Sequence, residues 1–175
     1  MSEKPIKKPV IFFTIADDEN MKYAELMQNS LKKFHPDIPL KIVSKEDLQA
    51  RLKQDNMFFY RATPIIAEEL IDEYELVVKI DADSIVTGDL SYLFDTKDYD
   101  VATVINWNRT DPQTYGAVQG WGIYPIEYFN AGFVAMRSKK FITHWKKLCF
   151  SPQFDRLQFK EQDLLNILCY YGEYN

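Results

Sequence analysis

The run Leu76-Val77-Val78-Lys79-Ile80-Asp81-Ala82-Asp83 holds the residues of this chain best suited to chemistry. An apolar segment of strand type leads directly into two aspartates spaced i, i+2. In an extended chain, residues two apart project to the same face. Two carboxylates side by side repel one another, and a shared proton or a divalent cation relieves the repulsion. Hard oxygen ligands suit Mg²⁺ or Mn²⁺. Such a cation keeps coordination positions for phosphate oxygens and would neutralise charge developing on a departing diphosphate. The spacing therefore points to a metal role for Asp81 and Asp83, weighed against a pair of solvated turn acids.

The surrounding pattern supplies the elements that must position these acids. Residues 10–15 are apolar and β-rich, a first strand expected at the centre of a sheet. Asp17-Asp18-Glu19-Asn20 follows, and Met21, Ala24, Leu31 and Phe34 then recur at helical spacing. His35-Pro36 ends that helix, and His35 is expected to be solvated. Residues 40–43 read as a second strand, and Ser44 to Asp47 as a capping box opening a second helix. Thr63-Pro64 reads as N-cap and first turn of a third helix reaching about Tyr74. Strands are expected at 76–80, 101–105 and 132–136, and Gly88 breaks the chain after Ile85-Val86.

The stretch 106–129 has no clear period and holds Trp107, Tyr115, Trp121, Tyr124, Tyr128 and Phe129. Long irregular stretches in compact domains are usually functional or mobile. Ser138 caps a helix to about Phe150, on which His144 reads as packing or surface, and a last helix spans 161–170. Strands alternating with helices predict an α/β/α sandwich with a mainly parallel central sheet. Ligands of such sheets bind beyond the carboxyl ends of the strands. Asp17 and the Asp81/Asp83 pair both follow strand ends, so one crevice can contain them.

The totals narrow the partners. A chain of 175 residues suits one domain, 1–175, with one sizeable core. The net charge is -5, and no basic stripe is concentrated enough for a phosphate-backbone binder, which excludes nucleic acid. Lys4, Lys7 and Lys8 read as a solvated tail, and Lys139, Lys140, Lys146 and Lys147 as the wet face of a helix. The two cysteines, Cys149 and Cys169, sit in apolar helical surroundings and are expected to be buried free thiols. No apolar run is long enough to span a bilayer, and the first residues lack a signal-type apolar region. A cytoplasmic location is the expectation, in which the sequon Asn108-Arg109-Thr110 has no meaning.

Four blocks carry a family resemblance. Lys79-Ile-Asp81-Ala-Asp83-Ser-Ile-Val-Thr-Gly88 resembles the DxD segment of GT-A glycosyltransferases, above all the retaining galactosyl- and glucosyltransferases of glycosyltransferase family 8, which include glycogenin. Thr14-Ile-Ala16-Asp17-Asp18-Glu-Asn20, with Tyr23 and Ser30-Leu31 beyond it, resembles the nucleotide-binding first loop and helix. Tyr128-Phe129-Asn130-Ala131-Gly132-Phe133 resembles the aromatic-Asn-Ala-Gly strand, and Glu161-Gln162-Asp163-Leu-Leu-Asn166 the start of the family's acidic helix. The blocks occur in the family's order and span nearly the whole chain.

The resemblance implies a metal-dependent transfer of a sugar from a nucleotide sugar, UDP-linked in this family, to an acceptor hydroxyl of a glycan or glycoprotein. It implies Mn²⁺ or Mg²⁺ on Asp83, shared by Asp81, which would also reach the ribose past the backbone of Ala82. Thr14, Ala16 and Asp17 would cradle the base, with Tyr23 a stacking partner. Arg61 would pair with diphosphate or sugar, unless it is a surface or structural residue. Asn130 and Gly132 would lie near the donor sugar. Glu161 and Gln162 would sit by the anomeric carbon, and Asp163 would cap the last helix or contact the sugar. The family's third metal ligand is a histidine near its C-terminus, and neither His35 nor His144 stands in that place. The chain then reads as a minimal or truncated GT-A domain, or as one whose metal is completed by water and diphosphate. Retention is implied by the resemblance alone, and Glu161 acting as a base would suit inversion. Two rivals remain: a nucleotide-sugar-binding module without turnover, and a haloacid-dehalogenase-type phosphatase using Asp81 as nucleophile.

Overall fold

The computed structural model describes residues 7–51, 58–106, 119–124 and 127–175. Lys4, Trp107, Tyr115 and the sequon at 108–110 lie outside the described residues. Five strands form one sheet: β1 (Lys8–Ala16), β2 (Leu40–Ser44), β3 (Tyr74–Ile80), β4 (Val101–Ile105) and β5 (Phe129–Met136), in the order β2-β1-β3-β5-β4. β1 pairs in parallel with both β2 and β3, while β5 runs antiparallel to β3 and to β4. Four strands thus run one way and β5 the other, so the sheet is mostly parallel, as expected. The reversal places the start of β5 at the edge where β1, β3 and β4 end.

Alternation of side chains across the pleat builds two cores. Ile11, Phe13, Val77, Val134 and Met136 face one layer. That layer is made by α2 (Lys45–Arg51), α3 (Phe58–Leu70), α5 (Lys139–Cys149) and α6 (Glu161–Tyr171). Val10, Phe12, Leu76, Val78, Ile80 and Ala135 face the other, against α1 (Met21–Phe34) and α4 (Tyr92–Asp95). The result is the α/β/α sandwich. No described helix is long and apolar enough to cross a membrane.

Local signals account for most boundaries. The capping box opens α2: Asp47 N–H donates to Ser44 Oγ (3.2 Å) and Ser44 N–H to Asp47 Oδ2 (3.3 Å). Ser138 Oγ accepts from Phe141 N–H at the start of α5. Cys149 and Cys169 are free thiols, the first buried and the second half-buried.

Two expectations fail. Thr63-Pro64 does not begin α3; the helix starts at Phe58, carries Pro64 inside it and ends at Leu70, so Tyr74 opens β3. An internal proline removes a hydrogen bond and costs about 3 kcal/mol. Burial of Ala62, Ile66, Ala67 and Leu70 on one face of α3 outweighs it. His35 is not solvated but buried. Its Nε2 accepts from Leu90 N–H (2.9 Å), and its ring meets Phe94 edge-on at 5.3 Å.

Candidate active site

The ends of β1 and β3 approach through small residues. Ala16, Ala24 and Ala82 pack together, which lets the loop after β1 meet the turn after β3. Between them is a cleft of about 230 Å³ lined by Ile15, Asn20, Asp81, Ala82 and Asp83. The cleft holds both acids of the pair. Asp17 is not among its lining residues and connects to it through Asn20: Asp17 Oδ1 accepts from Asn20 N–H (3.0 Å) and Asn20 Nδ2 (2.7 Å), fixing the turn that enters α1.

Asp81 and Asp83 are not on one face of a strand. β3 ends at Ile80, and Ser84 N–H donates to Asp81 O (3.1 Å), folding 81–84 into a turn. Asp83 is exposed, and no hydrogen bond or ion pair holds it among the described residues. Asp81 is half-exposed, its side chain at 48%. Its Oδ1 accepts from Lys79 Nζ, and the ammonium also donates to Ala131 O (2.7 Å). The repulsion expected between the two acids is relieved at Asp81 by a lysine two residues upstream on the same face of β3. The sequence held that signal, because the i, i+2 rule that relates the aspartates applies equally to Lys79 and Asp81.

The start of β5 supplies the next part. Opposite β4, the register jumps from Thr103↔Val134 to Val104↔Asn130, so residues 131–133 bulge from the β4 ladder. Bulges re-aim chain at functional edges. Here the freed polar groups serve the side chains of Gln162 and Lys79 and the backbone of Asp81. Ala131 N–H donates to Gln162 Oε1 (2.9 Å), Ala131 O accepts from Lys79, and Gly132 O accepts from Asp81 N–H (2.7 Å). Gly132 N–H donates to Asn130 Oδ1 (2.6 Å). A Cβ at Gly132 would stand 2.6 Å from both Asn130 Oδ1 and Asp81 Oδ2, so only glycine admits this approach.

α6 closes the site. Asn166 is fully buried and reads the backbone of β5 as a neighbouring strand would. Its Oδ1 accepts from Phe129 N–H (2.7 Å), and its Nδ2 donates to Phe129 O (2.9 Å) and Gln162 O (2.8 Å). Asp163 is also fully buried, accepting from Tyr128 Oη (2.7 Å) and Phe159 N–H (2.9 Å). Burial raises its pKa, against the lowering effect of those hydrogen bonds. The α6 entry passes through Lys160 at φ 50, ψ -116, a costly backbone conformation for a residue with a Cβ.

Glu161 follows immediately. Its Oε2 is sealed from solvent and has no hydrogen-bond partner among the described residues. Burial pushes its carboxyl up to about 8, while the Lys79 ammonium pulls it down and the Asp81 carboxylate pushes it further up. Glu161 therefore feels the Lys79–Asp81 pair.

The structure thus brings together Asp81, Ala82, Asn130, Gly132, Glu161 and Gln162, with Asp83 at the mouth. It does not bring others. Thr14 Oγ1 is buried within the sheet layer with no hydrogen-bond partner among the described residues, and Thr14 is not among the cleft residues. Ala16 is buried in the floor. Tyr23 is exposed on α1, covered by the Lys22 ammonium at 4.8 Å, and is not among the cleft residues. Arg61 braces α3 against the end of α5: its Nε donates to Cys149 O (2.9 Å), and its guanidinium lies over Phe154 at 4.6 Å. Tertiary packing uses its planar cation, so the structural alternative describes these contacts better than pairing with a diphosphate. Lys79 and Tyr128 stand inside the family-like blocks without an expected role of their own, and the bulge has no signal in the sequence.

Two carboxylates at one open mouth fit a hard divalent ion that keeps water and phosphate ligands. They do not form a closed cage, since no group of three His, Cys, Asp or Glu gathers to hold a metal among the described residues.

No family model and no curated protein matches the chain. Solved structures do. A galactosyltransferase, LgtC, in complex with donor and acceptor sugar analogues aligns with TM-score 0.64 and 22% identity over 90% of this chain and 69% of its own. The bifunctional glycosyltransferase WbbM aligns with TM-score 0.69 and 17% identity over 94% of this chain and 38% of its own. The glycosyltransferase GlyE of Streptococcus pneumoniae aligns with TM-score 0.64 and 20% identity over 97% of this chain and 44% of its own. The chain thus spans less than half of the last two proteins. The fold is that of the GT-A glycosyltransferases.

Proposed function

We propose that this chain is a glycosyltransferase domain that moves a hexose from a UDP-sugar to an acceptor hydroxyl of a glycan or glycoprotein. The observation that carries the reading is the convergence of Asp81, Asn130, Gly132, Glu161 and Gln162 at the carboxyl edge of a GT-A sheet. Strands that end at a shared edge of such a sheet define its ligand crevice.

In this reading the base and diphosphate occupy the cleft between Asp17 and Asp83, and the sugar lies against the 130–132 bulge. A Mn²⁺ or Mg²⁺ ion held by Asp81 and Asp83 would offset the charge of the diphosphate. Gln162 is fixed by Ala131 N–H, which holds its side chain at the sugar face. In this reading the Glu161 carboxyl, pushed up to about 8 by burial, stands behind the sugar face as a neutral group beside the Lys79–Asp81 pair. Asp163 has both oxygens engaged and is the residue that fixes the start of α6 rather than a nucleophile. A retaining transfer in which the leaving phosphate assists the incoming hydroxyl on the same face needs no carboxylate nucleophile, and this is the course proposed.

A thermal-shift screen of nucleotides and nucleotide sugars, with and without Mn²⁺, tests the reading. A ligand binding only the native state at about 100 times its Kd adds about 2.7 kcal/mol of stability. UDP and UDP-sugars should shift the transition with Mn²⁺ and lose the shift on chelation. No shift with any nucleotide under any cation would refute it, and phosphate release from a generic phosphomonoester would favour the phosphatase.

A further inference from the structure

Lys79 is the one lysine buried among the described residues. Removing an ammonium from water costs several kcal/mol unless it is paired and hydrogen-bonded. Its pairing is specific: Asp81 Oδ1 on one side and Ala131 O at 2.7 Å on the other. Its place on β3 is fixed by the sheet, where it sits opposite Phe13 of β1 and Val134 of β5. The charge is thus a permanent part of the site, not a mobile surface lysine.

That position has a consequence for any cation. A divalent ion approaching Asp81 meets a carboxylate already neutralised on Oδ1, with a positive charge behind it. Asp83 is exposed and pairs with no ammonium among the described residues, but one carboxylate in water holds Mn²⁺ or Mg²⁺ weakly. We propose that Lys79 is a resident counter-ion that keeps the empty site from retaining a divalent cation, so that metal and nucleoside diphosphate bind only together. The inference rests on the donor reading above. Oxygens of the diphosphate then supply the negative charge that Asp81 no longer offers. By reciprocity, the metal raises nucleotide affinity by the same factor as the nucleotide raises metal affinity. Lys79 acts through Asp81 and is a positioning residue.

The test counts free Mn²⁺ by electron paramagnetic resonance and UDP binding by calorimetry, using the wild type, Lys79→Gln and Lys79→Met. Gln keeps a donor for Ala131 O without the charge, and circular dichroism checks that each variant folds. The wild type alone should bind Mn²⁺ no more tightly than about 1 mM, at the weak end of the range for oxygen-ligand sites. UDP should tighten that at least about tenfold, within the usual coupling range. Removing a unit charge a few ångströms from the metal position should strengthen Mn²⁺ binding to the empty variants about tenfold or more. Empty wild type that binds Mn²⁺ as tightly as it does with UDP, or folded Lys79→Gln with unchanged Mn²⁺ affinity, overturns the proposal. If neither variant folds, the two wild-type titrations decide. If UDP binds under no condition, the donor reading fails instead, and the comparison of empty proteins still decides the role of Lys79.

Discussion

The two halves of the candidate site are built in opposite ways. At the seam between β5 and α6, three polar side chains of the helix, Gln162, Asp163 and Asn166, are each tied to backbone. Asn166 and Gln162 hold Phe129 and Ala131, and Asp163 holds Tyr128 and Phe159. At the mouth between β1 and β3, Asp83 stands exposed, Asp17 is held within its own turn, and the cleft is open. Side chains held within a fraction of an ångström before a ligand arrives do not lose entropy on binding it. Under the proposed function, the seam would take the neutral sugar, which must be oriented by geometry, and the mouth the charged diphosphate, which brings its own strong interactions. The difference predicts that seam substitutions damage the fold and mouth substitutions damage only binding.

Asn166→Ala should have the largest effect on stability. It deletes three hydrogen bonds at a fully buried position and strands the N–H and C=O of Phe129. Stranded buried backbone groups cost about 1–3 kcal/mol each, so a loss of about 3 kcal/mol is expected, with a Tm lower by about 6–12 °C for a domain of this size. Urea unfolding measures it directly. A loss below 1 kcal/mol would mean that the seam is not preorganised in the way described.

The mouth was more legible in the sequence than the seam, for a physical reason. Asp81 and Asp83 announce themselves locally: an apolar strand runs into acids, and the turn that carries them is four residues long. The capping box at Ser44 and the cap at Ser138 are local in the same sense, and both stand in the structure. The Glu161-Gln-Asp block marked α6 correctly, but which of its members were structural depended on contacts more than thirty residues away. Tyr128 and Asp163, or Phe129 and Asn166, declare their pairing only when β5 and α6 meet. His35 misled for the same reason, since its partner Leu90 belongs to a different part of the chain. Pro64 sits inside α3 because the buried face of that helix outweighs local propensity. Lys79 is a local signal, its spacing to Asp81 being the same as that between the two aspartates.

Glu161 lies where the two halves meet, and it sharpens the comparison through pH. Its carboxyl is pushed from 4.5 to about 8 by burial. Between those values the native state keeps a proton that the unfolded chain gives up, so stability falls as pH rises. The favourable contribution is complete below pH 4.5 and is lost above about 8. Full conversion of such a shift would exceed 4 kcal/mol at about 1.4 kcal/mol per unit; partial exposure of the residue reduces it to about 1–2 kcal/mol. Glu161→Gln removes the slope. Denaturation of both proteins from pH 4 to 9 should show Glu161→Gln gaining on the wild type by that amount across the window. Parallel profiles would place the Glu161 carboxyl in water, on the mouth side of the division.

Asp83→Ala should have the smallest effect on stability and, if the donor reading holds, a complete effect on function. An exposed side chain with no partner among the described residues contributes within about 0.5 kcal/mol of zero. Removing its negative charge can even relieve repulsion with Asp81. Calorimetry should show Mn²⁺-dependent UDP binding abolished while the melting curve is unchanged. Unchanged UDP binding would remove Asp83 from the metal assignment. A loss of 2 kcal/mol in stability would show that the mouth is wired after all, through contacts that its exposure conceals, and the contrast with the seam would be gone. The expected outcome, stability kept and binding lost, requires Asp83 to be held by nothing in the protein and to wait for a ligand that carries its own charge.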